Sequence, residues 1–280
     1  MPLRLRRFAL ASLLGFLCVA AAQAEAPRRV VSFNNCADQL VLALADPEQI
    51  AGLSPYAADP LLSVLWQEGG RFRRVDWQAE SVLPLKPDLV LVSTWDRPVT
   101  QRMLVRLGIR VERLDLVADI ETARTEIVRV AALLGHPVRG ERLLARLDAA
   151  RAKLVAASRG PFSTALVIDH GRFAAGPQSI VASLLKEAGL RPPAGAPQSF
   201  GGFIPLEQLV MLQPDLLFLK DPPAQPEDQG AVYMTHPALR ALYPPARRIA
   251  WPERLSMCGG PALIAAFDHL ADVMSRLASR

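Results

Sequence analysis

Short apolar runs alternate with amphipathic stretches along most of this chain. The runs are rich in Val, Leu and Ile, which is typical of strands that are buried on both faces of a sheet. The first run is followed by Leu40, Val41 and Leu44 at helical spacing. An alternation of strands and helices predicts an α/β fold with parallel sheets. The predicted strands are 29–33, 89–92, 111–114, 165–168 and 216–219.

Two helical segments lie in the middle of the chain. Apolar residues recur every three or four positions over 120–134, and this stripe ends at Gly135-His136-Pro137. A second stripe covers 138–158 and carries arginines and acidic residues on its other face. A helix of roughly 20 residues spans about 30 Å, which is long enough to connect two lobes.

A short internal sequence repeat indicates two related halves. The segment 80–89 corresponds to 207–216 at a constant offset of 127 residues, and each copy ends an apolar helix in Pro-Asp-Leu. Pro-Asp favours a turn before the next strand. We therefore predict an α/β lobe over 28–136, a linking helix over 137–158 and a second α/β lobe over 159–280.

The N-terminal residues are typical of an export signal. Three arginines precede the apolar run 8–22, which ends in the small-residue pattern Ala22-Gln23-Ala24. A membrane anchor is the competing interpretation, but the run has about 15 residues and a membrane span needs roughly 20. We expect a cleavable signal peptide over residues 1–24 and a periplasmic location.

Composition and motifs exclude several function classes. Cleavage would remove three arginines and no acidic residue, which lowers the formal net charge from +5 to +2. So small an excess gives no reason to expect nucleic acid as a partner. Nucleophile-elbow, P-loop, zinc-protease and dinucleotide-binding motifs are absent from the sequence, so we expect neither an enzyme nor a bound cofactor. The four scattered histidines do not have the spacing of a free-metal site.

Several segments together resemble the periplasmic binding family for iron complexes and cobalamin, over essentially the whole chain after the signal. The resemblance implies two α/β lobes joined by one long helix, with a ligand held in the cleft between them. It also implies a monomer that delivers a metal complex to the permease of an ABC importer. The segments that carry it are 29–32, 38–40, 50–54, 86–90, 107–111, 236–239 and the helix opened by Pro261.

The resemblance assigns a docking role to two glutamates. Glu80 and Glu207 each lie seven residues before their Pro-Asp turn, matching the acidic residues with which similar proteins contact permease arginines. Ordinary solvated helix glutamates are the alternative.

Ligand contacts are expected beyond the carboxyl ends of the strands, where open α/β sheets bind ligands. Tyr56 matches an aromatic residue that contacts corrin in related proteins, and Trp95 falls near another. Aromatic faces suit flat macrocycles, although both rings could simply pack in loops. The expected contacts are Asn35, Cys36, Tyr56 and Trp95 in the first lobe, and His170, Arg172, Cys258 and Gly259 in the second.

Cys36 and Cys258 are the two cysteines that remain after cleavage. Two cysteines in an oxidising compartment predict one disulfide, and the family alignment puts both at helix starts that face the cleft. Two other interpretations stay open: paired thiolates that ligate a soft metal or the metal of a chelate, and independent small residues in a pocket.

The alternative functions follow from these interpretations. One is a soft-metal or metallocofactor binding protein that uses Cys36 and Cys258 as ligands, and another is a cofactor enzyme on the same fold. A third is a periplasmic scavenger that never meets a permease. Aromatic and basic loop residues are compatible with hydroxamates, catechols, haem and corrinoids alike.

Overall fold

The computed structural model describes residues 25–94, 96–158, 160–169, 171–220, 232–233 and 235–279. The predicted signal peptide, residues 1–24, lies outside the described residues. The α/β fold class is confirmed, with two sheets of mostly parallel strands and a layer of helices on each face of each sheet.

The first sheet has four parallel strands in the order β2-β1-β3-β4. We call this sheet and its helices the first lobe. Its strands are β1 (Val30–Ser32), β2 (Ile50–Gly52), β3 (Leu89–Ser93) and β4 (Arg110–Leu114). Its helices are α1 (Asn35–Leu44), α2 (Trp66–Gly69), α3 (Ala79–Val82), α4 (Pro98–Arg106) and α5 (Ile120–Leu133).

The second sheet has five strands in the order β7-β6-β5-β8-β9 and forms, with its helices, the second lobe. The long helix α6 (Pro137–Ala157) connects the two lobes in sequence. The strands are β5 (Ala165–Ile168), β6 (Phe173–Ala175), β7 (Gly201–Phe203), β8 (Leu216–Lys220) and β9 (Arg248–Trp251). The described helices are α7 (Ile180–Glu187), α8 (Leu206–Leu212), α9 (Pro237–Leu242) and α10 (Pro261–Ala278).

The second sheet differs from a purely parallel one. Strand β6 pairs antiparallel with both β5 and β7. Only four residues, 169–172, separate β5 from β6. A parallel pair needs a crossover of a dozen or more residues, so this short link forces a hairpin.

Alternate residues of the central strands enter different cores, which explains their continuous apolar sequences. In β3, Leu89 and Leu91 join the core between the two sheets, whereas Val90 and Val92 join the outer core of the first lobe. The core between the sheets also contains Phe218 of the second sheet and residues of α1, α5, α6, α7 and α10. One continuous apolar core therefore connects the lobes.

The internal sequence repeat has a structural counterpart in the two sheets. The carboxylate of Asp88 accepts the backbone N–H groups of Arg28 and Arg29 at 2.7 and 2.9 Å, just before β1. In the second lobe Asp215 accepts the N–H groups of Ser163 and Thr164, both at 2.9 Å, just before β5. These hydrogen bonds hold the pKa of Asp215 below its usual range. Each aspartate therefore links the start of its own strand to the start of the neighbouring strand. Asp88 links β3 to β1, and Asp215 links β8 to β5.

The linking helix was predicted over 137–158, and α6 runs from Pro137 to Ala157. Helix α10 packs along α6. The division into lobes at 28–136 and 159–280 stays a proposal. Among the described helices, none has the length and hydropathy needed to cross a bilayer.

Candidate functional site

The start of helix α1 lies at the carboxyl end of β1, where the fold exposes ligand sites. Asn34 caps the helix by accepting the N–H of Ala37 at 2.9 Å, and its amide donates to Asp96 at 2.9 Å. The first turn then carries Asn35 and Cys36. The Asn35 amide donates to the carbonyl of Leu62 at 2.6 Å, so this buried side chain already has a partner.

Cys36 and Cys258 are joined by a disulfide, with their Cα atoms 5.1 Å apart. The bond connects the first turn of α1 to the segment before α10, across 222 residues of sequence. In this bonded form neither sulfur is a thiolate, so paired thiolate ligation does not apply to it. The described residues also contain no group of three or more His, Cys, Asp or Glu side chains arranged to hold a metal ion.

The two glycines after Cys258 pack against the first lobe. A Cβ on Gly259 would lie 3.0 Å from the Cβ of Ala123, and one on Gly260 would lie 2.9 Å from Leu40. Gly260 also has a φ of 62°. Gly259 lines a small cavity of about 100 Å³ beside the disulfide rather than the main cleft, so its clearest role is close packing.

A cavity of about 580 Å³ lies between the two lobes. Its described lining side chains are all uncharged, and several are large and partly exposed, including Tyr56 (39%), Phe200 (51%) and Met257 (45%). Cavities of this size hold drug-sized ligands. The first lobe contributes Asn35, Cys36, Tyr56 and Val117, and the second contributes Ser179, Ile180, Phe200 and Met257.

An aromatic group extends the cleft beyond Tyr56. The rings of Tyr56 and Trp77 have centroids 5.4 Å apart, and the Arg97 guanidinium lies 5.1 Å from the centre of the Trp77 ring. The Trp77 indole donates to the carbonyl of Phe33 at 2.7 Å, which fixes the ring at the end of β1. A second cavity, of about 450 Å³, is lined by all three side chains. Trp77 and Arg97 were not among the contacts predicted from the sequence, although a tryptophan in a polar loop was a signal.

Three predicted contacts remain, and the structure describes one of them, Arg172. Trp95 and His170 lie outside the described residues. Arg172 is exposed in the turn between β5 and β6, with a φ of 65°, and it is not among the residues that line either large cavity.

Asp38 in α1 is fully buried, and it was not among the site residues predicted from the sequence. Burial raises the pKa of Asp38 to about 7, against the lowering effect of hydrogen bonds from Ser54 and Ser32. The nearby charge of Asp96 adds to the rise in this pKa.

Glu80 and Glu207 are exposed, and each is the second residue of its helix, α3 and α8 respectively. Neither forms an ion pair within the described part of the chain. Their docking role stays a prediction.

Solved structures with a similar fold cover nearly the whole chain. A periplasmic haem-binding protein from Pseudomonas aeruginosa is 23% identical with a TM-score of 0.71, covering 90% of this chain and 94% of that chain. The haem-binding protein RhuT from Roseiflexus sp. RS-1 is 24% identical (TM-score 0.73; 90% and 99% covered). The vitamin B12 binding protein BtuF of Vibrio cholerae is 16% identical (TM-score 0.67; 91% and 99%).

A sequence comparison with curated proteins gave no match. The profile of the family described as "Periplasmic binding protein" matches residues 30–242, which include both sheets up to β8 and most of the cleft. Because this match extends over well more than half of the sequence, the chain belongs to the periplasmic binding protein family.

Proposed function

We propose that this protein is the solute-binding component of an ABC importer and captures a metal complex such as haem, a corrinoid or a ferric siderophore. The supporting observation is the cavity of about 580 Å³, walled by both lobes and lined by uncharged, partly aromatic side chains. Similar folds occur in proteins named for haem and vitamin B12 binding. In this proposed role the protein binds and delivers the solute without changing it chemically.

Capture in the cleft would depend on large aromatic and apolar surfaces. Tyr56 lines both cavities, and Phe200 and Met257 project from the second lobe. Arg97 at the outer cavity would meet an acidic group at the edge of a flat ligand, because a guanidinium pairs well with carboxylates. An uncharged cavity wall favours a ligand that presents an apolar face.

Release would follow docking of both lobes onto the permease. Glu80 and Glu207 would each pair with a cationic side chain of the permease. Charges of this kind on the outer surface steer the encounter between two proteins and fix how they align. The disulfide, α6 and the shared core would limit how far the lobes separate. We further propose export to the periplasm after removal of residues 1–24, with the mature chain working as a monomer.

Ligand titration tests the proposal. Purified mature protein is titrated with haemin, cyanocobalamin and a ferric hydroxamate siderophore, and mass spectrometry identifies any ligand that copurifies. We expect saturable one-to-one binding of one class. Failure to bind any of the three, together with no copurified metal complex, would refute the proposed cargo.

Tyr56 provides the residue-level test. Tyr56→Ala should weaken binding by roughly 1–3 kcal/mol, the range for removing a buried aromatic contact. Tyr56→Phe is the matched control, since it keeps the ring and removes only the hydroxyl. An unchanged affinity for Tyr56→Ala in a folded protein would leave Tyr56 as a packing residue.

A further inference from the structure

The carboxyl group of Asp38 is buried, and its hydrogen-bond partners among the described residues are neutral groups. Its two oxygens accept the N–H of Ser54 at 3.0 Å and the hydroxyl of Ser54 at 2.5 Å. No cationic side chain pairs with it among the described residues. Glu126, another buried acid of the first lobe, is instead paired with Arg129 at 2.8 Å.

This arrangement is costly for a role in packing alone. A buried charge without a counter-ion loses its hydration, and the rise of the Asp38 pKa to about 7 reflects that loss. A neutral side chain could accept a hydrogen bond from Ser54 at lower cost. Because the burial of the Asp38 carboxyl group is costly, its hydrogen bonds to Ser54 indicate a role in holding Ser54 in place.

Ser54 transmits this anchoring to the cleft. Its hydroxyl donates to Asp38 and accepts the backbone N–H of Tyr56 at 3.2 Å. Ser54 thereby caps the short helical turn Pro55–Ala58, which presents Tyr56 to both large cavities. Ser54 is fully buried, whereas the Tyr56 side chain two residues later is 39% exposed.

We propose that Asp38 is a positioning residue for ligand binding, which acts through Ser54 to hold the Tyr56 ring at the cleft wall. The inference rests on the proposed function, because it assigns Tyr56 a ligand contact. A ring held in one orientation before binding loses less conformational entropy when the ligand arrives.

The test is a double-mutant cycle with haemin as the probe. At pH 8, above the Asp38 pKa of about 7, Asp38→Asn should weaken haemin binding about tenfold, the size of one charge-assisted hydrogen bond. In the Tyr56→Ala background the same substitution should change affinity less than about twofold, because residues acting through one another are not additive. Asp88→Asn is the matched control: it removes a carboxylate that accepts backbone N–H groups in the same lobe, before β1 and away from the cleft.

Two further measurements keep the test decisive. Ser54→Ala removes the hydroxyl link without touching the charge, and it should reproduce the loss if Asp38→Asn does not fold. Hydrogen–deuterium exchange of residues 54–58, measured without ligand, should accelerate in Asp38→Asn and stay unchanged in Asp88→Asn.

Each outcome bears on one idea. An equal loss of affinity in the Tyr56→Ala background, or no loss at all, would overturn the positioning role. If the wild-type protein binds none of the three titrated ligands, the proposed function fails by itself. Unchanged exchange over 54–58 in Asp38→Asn would then still overturn the anchoring of Tyr56, and faster exchange would support it.

Discussion

Removal of the Cys36–Cys258 bridge should lower the free energy of unfolding by about 2–5 kcal/mol. The bond closes a loop of 222 residues, for which loop entropy sets an upper figure of about 5 kcal/mol. The bridge joins α1 to the segment just before α10, and both of these helices already contribute to the central core. The folded state should therefore keep its packing, and most of the effect should arise from a less restricted unfolded chain.

Urea unfolding of the oxidised protein, the dithiothreitol-reduced protein and Cys36→Ala/Cys258→Ala measures this effect. The two forms without the bridge should unfold at lower urea concentration and with a steeper dependence on urea, because an unbridged unfolded chain exposes more surface. The double variant must be insensitive to dithiothreitol, which controls for other effects of the reductant. A loss of less than about 1 kcal/mol, or two reactive thiols in denatured unreduced protein, would refute the reasoning.

Three other perturbations have clear expected outcomes. Glu80→Arg with Glu207→Arg should abolish import through the cognate permease while leaving ligand affinity in solution within about twofold, and import at the wild-type rate would contradict the docking role. Burial raises the pKa of Asp38 to about 7 from 3.8, so the folded state retains a proton that the unfolded state has released. Stability should then fall by up to about 1.4 kcal/mol per pH unit as pH rises from about 4 to 7, and Asp38→Asn should lose this component in urea unfolding at several pH values. Gly260→Ala should cost about 1–3 kcal/mol because of the positive φ and the contact with Leu40, and thermal unfolding with no change would contradict this estimate.

Local sequence patterns were sufficient for five of the nine described strands, whereas β2, β6, β7 and β9 were not predicted. The predicted strand 165–168 coincides with β5, and the predicted linking helix differs from α6 by one residue at its end. Such patterns are informative because the spacing of apolar residues within a segment indicates which of its faces is buried. The repeated Pro-Asp turn likewise predicted two related halves. Its two aspartates form hydrogen bonds with equivalent strand starts in the two sheets.

The binding cleft was predictable only in part. The rule that ligands lie at the carboxyl ends of strands led to Tyr56 and Cys36, which both line the cavity between the lobes. It did not lead to Trp77 or Arg97, because their approach to Tyr56 depends on how three separate loops pack. Arg172 was expected in the cleft from its position after a strand, but it is exposed between β5 and β6 and is not among the residues that line either large cavity.

The sequence by itself determined the class of fold, five of the strands, the linking helix and the residues that could form a bridge, because these follow from the types and spacing of residues along one segment. The tertiary structure decided that β6 runs antiparallel, that Cys36 meets Cys258 and that Asp38 is buried beside Ser54. Each of these depends on contacts between segments far apart in the chain. Contacts of that kind arise from the packing of complete elements, and no local pattern of apolar and polar residues encodes them.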